Sequence, residues 1–230
     1  MSDMITSFLL VAIPTVIAIT LHEAAHGYAA LWMGDDTARQ AGRLSLNPLR
    51  HVDRFGTLLL PGILLASQLL TVGRVVFMFG WAKPVPVDPS HFRMPRQGMA
   101  LVALAGPMMN LALAFLAAHV FRLHNISPAV ANAVIEFITF NLVLGLFNLV
   151  PLPPLDGGRI AVGILPLPLA RLWARIEPFG IIFVMALIAV PALLRQQGIH
   201  VDPLGSVLYP TVDWVFNAIL WLAGVRDAGI

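Results

Sequence analysis

The 230-residue chain is 58% hydrophobic and 11% charged, with a formal net charge of +2 and no cysteine. An average soluble domain carries about 25% charged residues, so this composition excludes an ordinary soluble domain and predicts a polytopic membrane protein. Disulfides and thiolate metal ligands are excluded, and so small a net charge gives no reason to expect a nucleic-acid partner.

The first predicted element is an apolar run from Ile5 to Met33 in which Glu23 is the one Asp, Glu, Lys or Arg. Met1-Ser2-Asp3-Met4 carries no Lys or Arg, so this segment is expected to be a retained transmembrane helix rather than a cleaved signal. Next, the stretch 34–97 reads as two short strands, Arg39–Leu46 and Val75–Val87, around an apolar segment, Phe55–Val72. That segment is short and Pro61-Gly62 interrupts it, so it is expected to be re-entrant or interfacial. Pro84 and Pro86 alternate in Lys83-Pro84-Val85-Pro86-Val87, which removes two backbone donors from one side and implies a sheet edge. Four further spans follow at Gly98–Val120, Pro128–Val150, Phe179–Leu194 and Leu204–Ala223. Between the third and fourth of all the spans, Arg171 and Arg175 with Leu172, Trp173 and Ile176 read as an interfacial helix.

The fold class expected is therefore an all-α polytopic membrane protein with about five to six transmembrane helices and a small membrane-associated β-sheet between the first two core helices. A single integral-membrane domain over 1–230 is expected, with a catalytic core at about 5–160 and C-terminal helices at about 161–230. With the N-terminus outside, all basic residues but Arg122 and Arg195 fall on the inner side, as the positive-inside rule prefers.

Chemistry enters at His22-Glu23-Ala24-Ala25-His26. Histidines at i and i+4 share one helix face and can reach one Zn²⁺, and the glutamate between them can take a proton from water activated by the metal. An ionisable residue at membrane depth is costly and marks function. A catalytic zinc needs a third protein ligand. Asp156 is the best candidate, because the prolines of Val150-Pro151-Leu152-Pro153-Pro154-Leu155-Asp156 break the preceding helix and Gly157-Gly158 permits a tight return. Under the charge-derived topology all three ligands share one depth. The amides of Asn110 and Asn148 are able to donate to an oxyanion or to a substrate carbonyl. His51, His91, His119, His124 and His200 lack metal-ligand spacing and read as loop or interfacial residues.

Three blocks, His22–His26, Gly106-Pro107-Met108-Met109-Asn110, and Asn148 to Gly157 in the pattern N-x-x-P-x-P-x-x-D-G, resemble the site-2 protease family of intramembrane zinc metalloproteases. They occur in the family's order and span roughly residues 20–160. The resemblance is to the compact form, without a PDZ or nucleotide-binding regulatory domain. It implies one zinc per chain held by His22, His26 and Asp156, with Glu23 as general base. It implies hydrolysis of a peptide bond in or near a transmembrane segment of a membrane-protein substrate, close to the cytoplasmic face of the inner membrane of a prokaryote. It implies that Asn148 helps position the substrate. It also implies that Lys83, Pro84, Val85, Pro86 and Val87 form the edge on which an unwound substrate pairs; Asn110, from its amide at membrane depth, is expected as a further substrate contact. The partners expected are thus such a substrate and the lipid bilayer, and a homo-oligomer is left open.

Two other functions use the same residues. One is a divalent-metal membrane transporter, against which the single tight site and the lack of an internal repeat argue. The other is a catalytically silent membrane scaffold, which gives no reason for an acid at Glu23.

Overall fold

A computed structural model describes residues 2–73, 80–123 and 125–225, with side chains from residue 13 onward. The chain opens with a long helix, α1 (Ser2–Trp32), which carries Pro14 within it. A single helical turn, α2 (Thr37–Gln40), follows, and then a 3-10 turn at Pro48–His51. A π-helical turn at Arg54–Leu59 runs directly into α3 (Leu60–Thr71). The expected break at Pro61-Gly62 does not occur: Pro61 follows the wider π-helical turn, and the carbonyl of Gly56, five residues before it, accepts Trp81 N–H at 3.2 Å in place of the missing helical donor. The resulting run Arg54–Thr71 is long and apolar enough to cross a membrane. After a 3-10 turn at Pro89–His91 come α4 (Pro95–Ala118), which continues as a 3-10 turn His119–Arg122, and α5 (Pro128–Asn148). The chain ends in two short helices, α6 (Asp156–Ile164) and α7 (Leu167–Ala174), and two longer ones, α8 (Glu177–Gln196) and α9 (Gly205–Leu222).

Among the described residues, four helical runs have the length and composition of membrane spans: Arg54–Thr71, Pro95–Arg122, Pro128–Asn148 and Glu177–Gln196. Large apolar side chains such as Leu116, Phe179, Ile182 and Phe183 are exposed on them, as expected of surfaces that meet lipid rather than water. The chain is a membrane protein.

The expected β-sheet is not there: the described residues contain no strand. Arg39 lies in α2, where Asp36 binds both Arg39 and Gln40 through its carboxylate, and the chain then turns at Gly42 with φ +62°. Residues 74–79 of the second expected strand, along with His124, lie outside the described residues. Residues 80–88 carry no regular secondary structure, and the N–H groups of Trp81, Lys83, Val85 and Asp88 find four unrelated acceptors instead of a neighbouring strand.

Helix α4 organises the interior by packing against α1, α5 and α6, while α5 also packs against α1 and α9. Small residues allow the close approach: Ala114 and Ala118 of α4 meet Ile138 and Leu142 of α5 and Val212, Ile219 and Leu220 of α9 in one buried cluster. Close van der Waals packing of this kind substitutes for the hydrophobic effect between helices in lipid. A second cluster of Ala30, Phe92 and Val102 ties the end of α1 to α4.

Candidate active site

His22 and His26 project from α1 toward α4 and are 5% and 9% exposed. Their ring centroids lie 4.7 Å apart with planes at 87°. The Nδ1 of His26 is 2.7 Å from the backbone carbonyl of Val102. A carbonyl only accepts, so Nδ1 carries the proton and Nε2 is left as the basic nitrogen. The Nδ1 of His22 is 2.6 Å from Oδ1 of Asn110 and donates to it, again freeing Nε2.

Asp156 meets the two Nε2 atoms from the other side. The turn after α5 is tied by Leu152 N–H to Val150 O at 2.7 Å and by Leu155 N–H to Leu152 O at 2.9 Å. It contains a cis Pro153–Pro154 bond and delivers Asp156 as the first residue of α6. Gly157 and Gly158 face the backbone of Leu149 and of Pro153 so closely that a Cβ at either would collide with it. Asp156 is 8% exposed, and its Oδ2 lies 3.1 Å from His22 Nε2 and 3.4 Å from His26 Nε2.

The three donors fit a zinc ion. Zinc binds imidazole nitrogen and carboxylate oxygen at about 2.0–2.2 Å in a tetrahedron, which sets donors about 3.3 Å apart; the two separations to Asp156 Oδ2 match. All three ligand atoms lie within 4.8 Å of one another. Gly106 of α4 closes the space on the remaining side. A Cβ there would stand 2.5 Å from His26 Nε2 and 2.6 Å from His22 Nε2, in the place the ion would take.

Glu23 lines a cavity of about 840 Å³ together with His22, His26, Asn148 and Asp156. Its Oε2 accepts the backbone N–H of Val85 at 3.2 Å. The segment holding Val85 forms one wall of this cavity through Gly80, Trp81, Ala82, Pro84, Val85 and Val87. Its alternate donors point inward. Trp81 N–H donates to Gly56 O at 3.2 Å, and Lys83 N–H to His51 O at 2.8 Å. Arg43 donates to Lys83 O at 2.8 Å. The end of the wall is tied by Asp35, which is buried. That carboxylate accepts the N–H of Asp88 and the Nδ1–H of His91, each at 2.8 Å, together with the N–H and hydroxyl of Thr37. Burial raises the Asp35 pKa, but these bonds overcome it and hold the carboxyl down to about 2. The bond to Asp35 raises the pKa of His91.

The structure thus brings His22, Glu23, His26, Asn148, Asp156, Pro84, Val85 and Val87 to one cavity, whereas Lys83 and Pro86 stand in the wall without lining it. Asn148 turns its amide nitrogen back to Leu144 O at 2.9 Å. Asn110, expected at the substrate, is corrected: it is fully buried behind His22, and its amide is spent on His22 and Asn141. His51 was expected in a loop or interface, yet it is buried in the cavity wall with Nε2 on Ser45 O at 2.8 Å. The partner of His26 is a backbone carbonyl, which leaves no mark in a sequence. Asp35 had a signal, in that a carboxylate directly after an apolar helix needs donors nearby.

Helix-borne histidines and an aspartate converging inside a membrane bundle, with a carboxylate beside them, define the class of membrane-embedded zinc hydrolases. The chain is 38% identical to the "Putative zinc metalloprotease YwhC" of Bacillus subtilis, across 91% of this chain and 89% of that protein. It is 32% identical to the "Putative zinc metalloprotease Rip2" of Mycolicibacterium smegmatis, across 82% of this chain and 70% of the relative. To the Mycobacterium tuberculosis protein of the same name it is 30% identical, across 94% and 73%. The chain belongs to the site-2 protease family and is a zinc metalloprotease. No protein-family model matches it, and no solved structure matches it with significance.

Proposed function

We propose that the chain cleaves a membrane-protein substrate in or near a transmembrane segment, at a zinc centre held by His22, His26 and Asp156 on the cytoplasmic side of a prokaryotic cell membrane. The observation that carries this reading is the convergence of those three donors, at 3.1 and 3.4 Å, beside a carboxylate that is not one of them. The inner-side placement rests on the basic residues, which flank the ligand-bearing ends of α1 and α5, with Arg54–Thr71 entering the membrane without crossing it, since a crossing would carry Asp156 to the side opposite His26.

Zinc bound there supplies Lewis-acid activation of water and of a peptide carbonyl. Glu23 takes the proton from the attacking water and returns it to the leaving amine. Its carboxylate is oriented for this by the Val85 N–H. Asn148 offers its second amide hydrogen to the substrate carbonyl, the first being engaged by Leu144. Arg159 and Glu177, an ion pair at 3.8 Å with both side chains about half exposed, belong to the cavity lining near Asp156 and give water a polar route.

The substrate lies extended along residues 83–87. A helical segment must unwind before its peptide bond can be attacked, and unwound backbone in a membrane needs partners. Pro84 and Pro86 have no N–H, so this wall offers carbonyl acceptors to the substrate's own N–H groups. Residues of about 5–160 form the catalytic core, and the later helices complete the bundle.

The test is proteolysis in proteoliposomes of a tagged reporter with a single transmembrane segment, alongside fluorescent casein in detergent. Wild type cuts, a chelator stops cutting, added zinc restores it, and Glu23→Gln is inactive. Wild-type cleavage by Glu23→Gln would overturn the reading.

A further inference from the structure

The two histidines are held in place by different means. His26 leans on a backbone carbonyl directly. His22 leans on Asn110, whose amide can in principle present either its oxygen or its nitrogen. What decides between them lies one helix further away.

On α5, the Nδ2 of Asn141 donates to Phe137 O at 2.9 Å. Since that carbonyl can only accept, Oδ1 of Asn141 is turned toward α4. There it accepts Nδ2 of Asn110 at 2.9 Å, which in turn sends Oδ1 of Asn110 to His22 Nδ1 at 2.6 Å. Both asparagines are 0% exposed. Gly145, one turn on from Asn141, lets α5 come close, for a Cβ there would lie 3.1 Å from Asn110 Cβ. Donation therefore runs in one direction, from His22 through two amides to a backbone carbonyl, across α1, α4 and α5.

We propose that Asn141 is a positioning residue of the metal centre: by locking the Asn110 amide, it keeps the proton of His22 on Nδ1 and leaves Nε2 free to bind the metal. Neither asparagine lines the cavity, so neither touches substrate. Without Asn141, the Asn110 nitrogen loses its acceptor and the amide is free to flip. A flipped Asn110 presents N–H to His22 Nδ1 and drives the imidazole proton onto Nε2, where it competes with the metal. Outer partners of metal-bound histidines commonly matter by about 10–100-fold in affinity.

The inference rests on the zinc reading above, and its test separates the two. Zinc affinity is measured by chelator competition on the detergent-purified full chain, with the melting temperature of each metal-free protein recorded beside it. Asn141→Leu is expected to bind zinc about tenfold more weakly than wild type. Asn141→Asp is expected to bind within about twofold of wild type, because a carboxyl oxygen still accepts from Asn110 Nδ2 and keeps that amide from flipping. Asn141→Ala carries the same expectation as Asn141→Leu if the larger side chain prevents folding. A purely structural role would lower the melting temperature and leave zinc affinity unchanged. Wild-type affinity in Asn141→Leu and Asn141→Ala, or equal weakening in Asn141→Asp, overturns the relay alone. A wild type that binds no zinc overturns the proposed function.

Discussion

The two sides of the cavity are built on opposite principles. On the histidine side, regular helices meet through small residues, and each imidazole is held by a buried partner, Val102 O or Asn110. On the facing side, residues 80–88 are irregular backbone beside membrane-embedded helices. Such backbone is tolerated only where protein or a water-filled cavity surrounds it, and here Trp81, Lys83, Val85 and Asp88 each find an acceptor while Pro84 and Pro86 have no N–H to satisfy. In the function proposed above, the helical side positions the metal and the irregular side receives the substrate. Glu23 belongs to the first side and is oriented by the second.

The sharpest way to separate the two sides is Glu23→Gln. Loss of the general base costs about 10²–10⁴-fold in cleavage rate, while bound zinc, measured by elemental analysis, is retained because Glu23 is not a ligand. Gly106→Ala strikes the helical side alone. The added methyl, 2.5 and 2.6 Å from the two Nε2 atoms, displaces the ion, so zinc content and cleavage fall together.

Val85→Pro strikes the irregular side. It removes the N–H that holds Glu23 and leaves the three ligands alone. The cleavage rate is expected to fall by about tenfold, the scale of one hydrogen bond to a charged group, with zinc content unchanged. Equal zinc loss in Val85→Pro and Gly106→Ala would erase the distinction between the sides.

The smallest effect concerns the tie at the end of the wall. The depressed pKa of Asp35 gives stability that is complete above its ordinary 3.8 and lost as pH falls through about 2. The raised pKa of His91 gives stability that is complete below 6.5 and lost as pH rises through the raised value. Asp36 and Asp88 add to that attraction. The melting temperature in detergent is therefore expected to be a few degrees lower at about pH 8.5 than at about pH 6. Asp35→Asn removes most of that difference.

These contrasts also explain what the sequence disclosed. The spacing of His22, Glu23 and His26, and the proline-rich return to Asp156-Gly157-Gly158, encode local geometry, so the donor set is legible without coordinates. Three spans, Gly98–Val120, Pro128–Val150 and Phe179–Leu194, are equally legible, because apolar length alone specifies them, whereas Phe55–Val72 reads as too short and Leu204–Ala223 is not among the candidate spans of the described residues. The wall was misread as a strand. The alternation of its donors is real, but alternation does not reveal whether the acceptors belong to one strand or, as here, to a π-helical turn, a 3-10 turn and a side chain. Asn110 was placed at the substrate because an asparagine in a membrane helix shows only that it has a partner. Which partner depends on how Gly145 lets α5 approach α4, a fact of packing across 31 residues of sequence.

The central claim is tested most directly by the zinc content of the detergent-purified protein, comparing wild type with Glu23→Gln and Asp156→Ala. About one zinc ion per chain in wild type and Glu23→Gln, with loss in Asp156→Ala, is the predicted result. A wild type without zinc after reconstitution, or an Asp156→Ala variant that keeps it, would contradict the account.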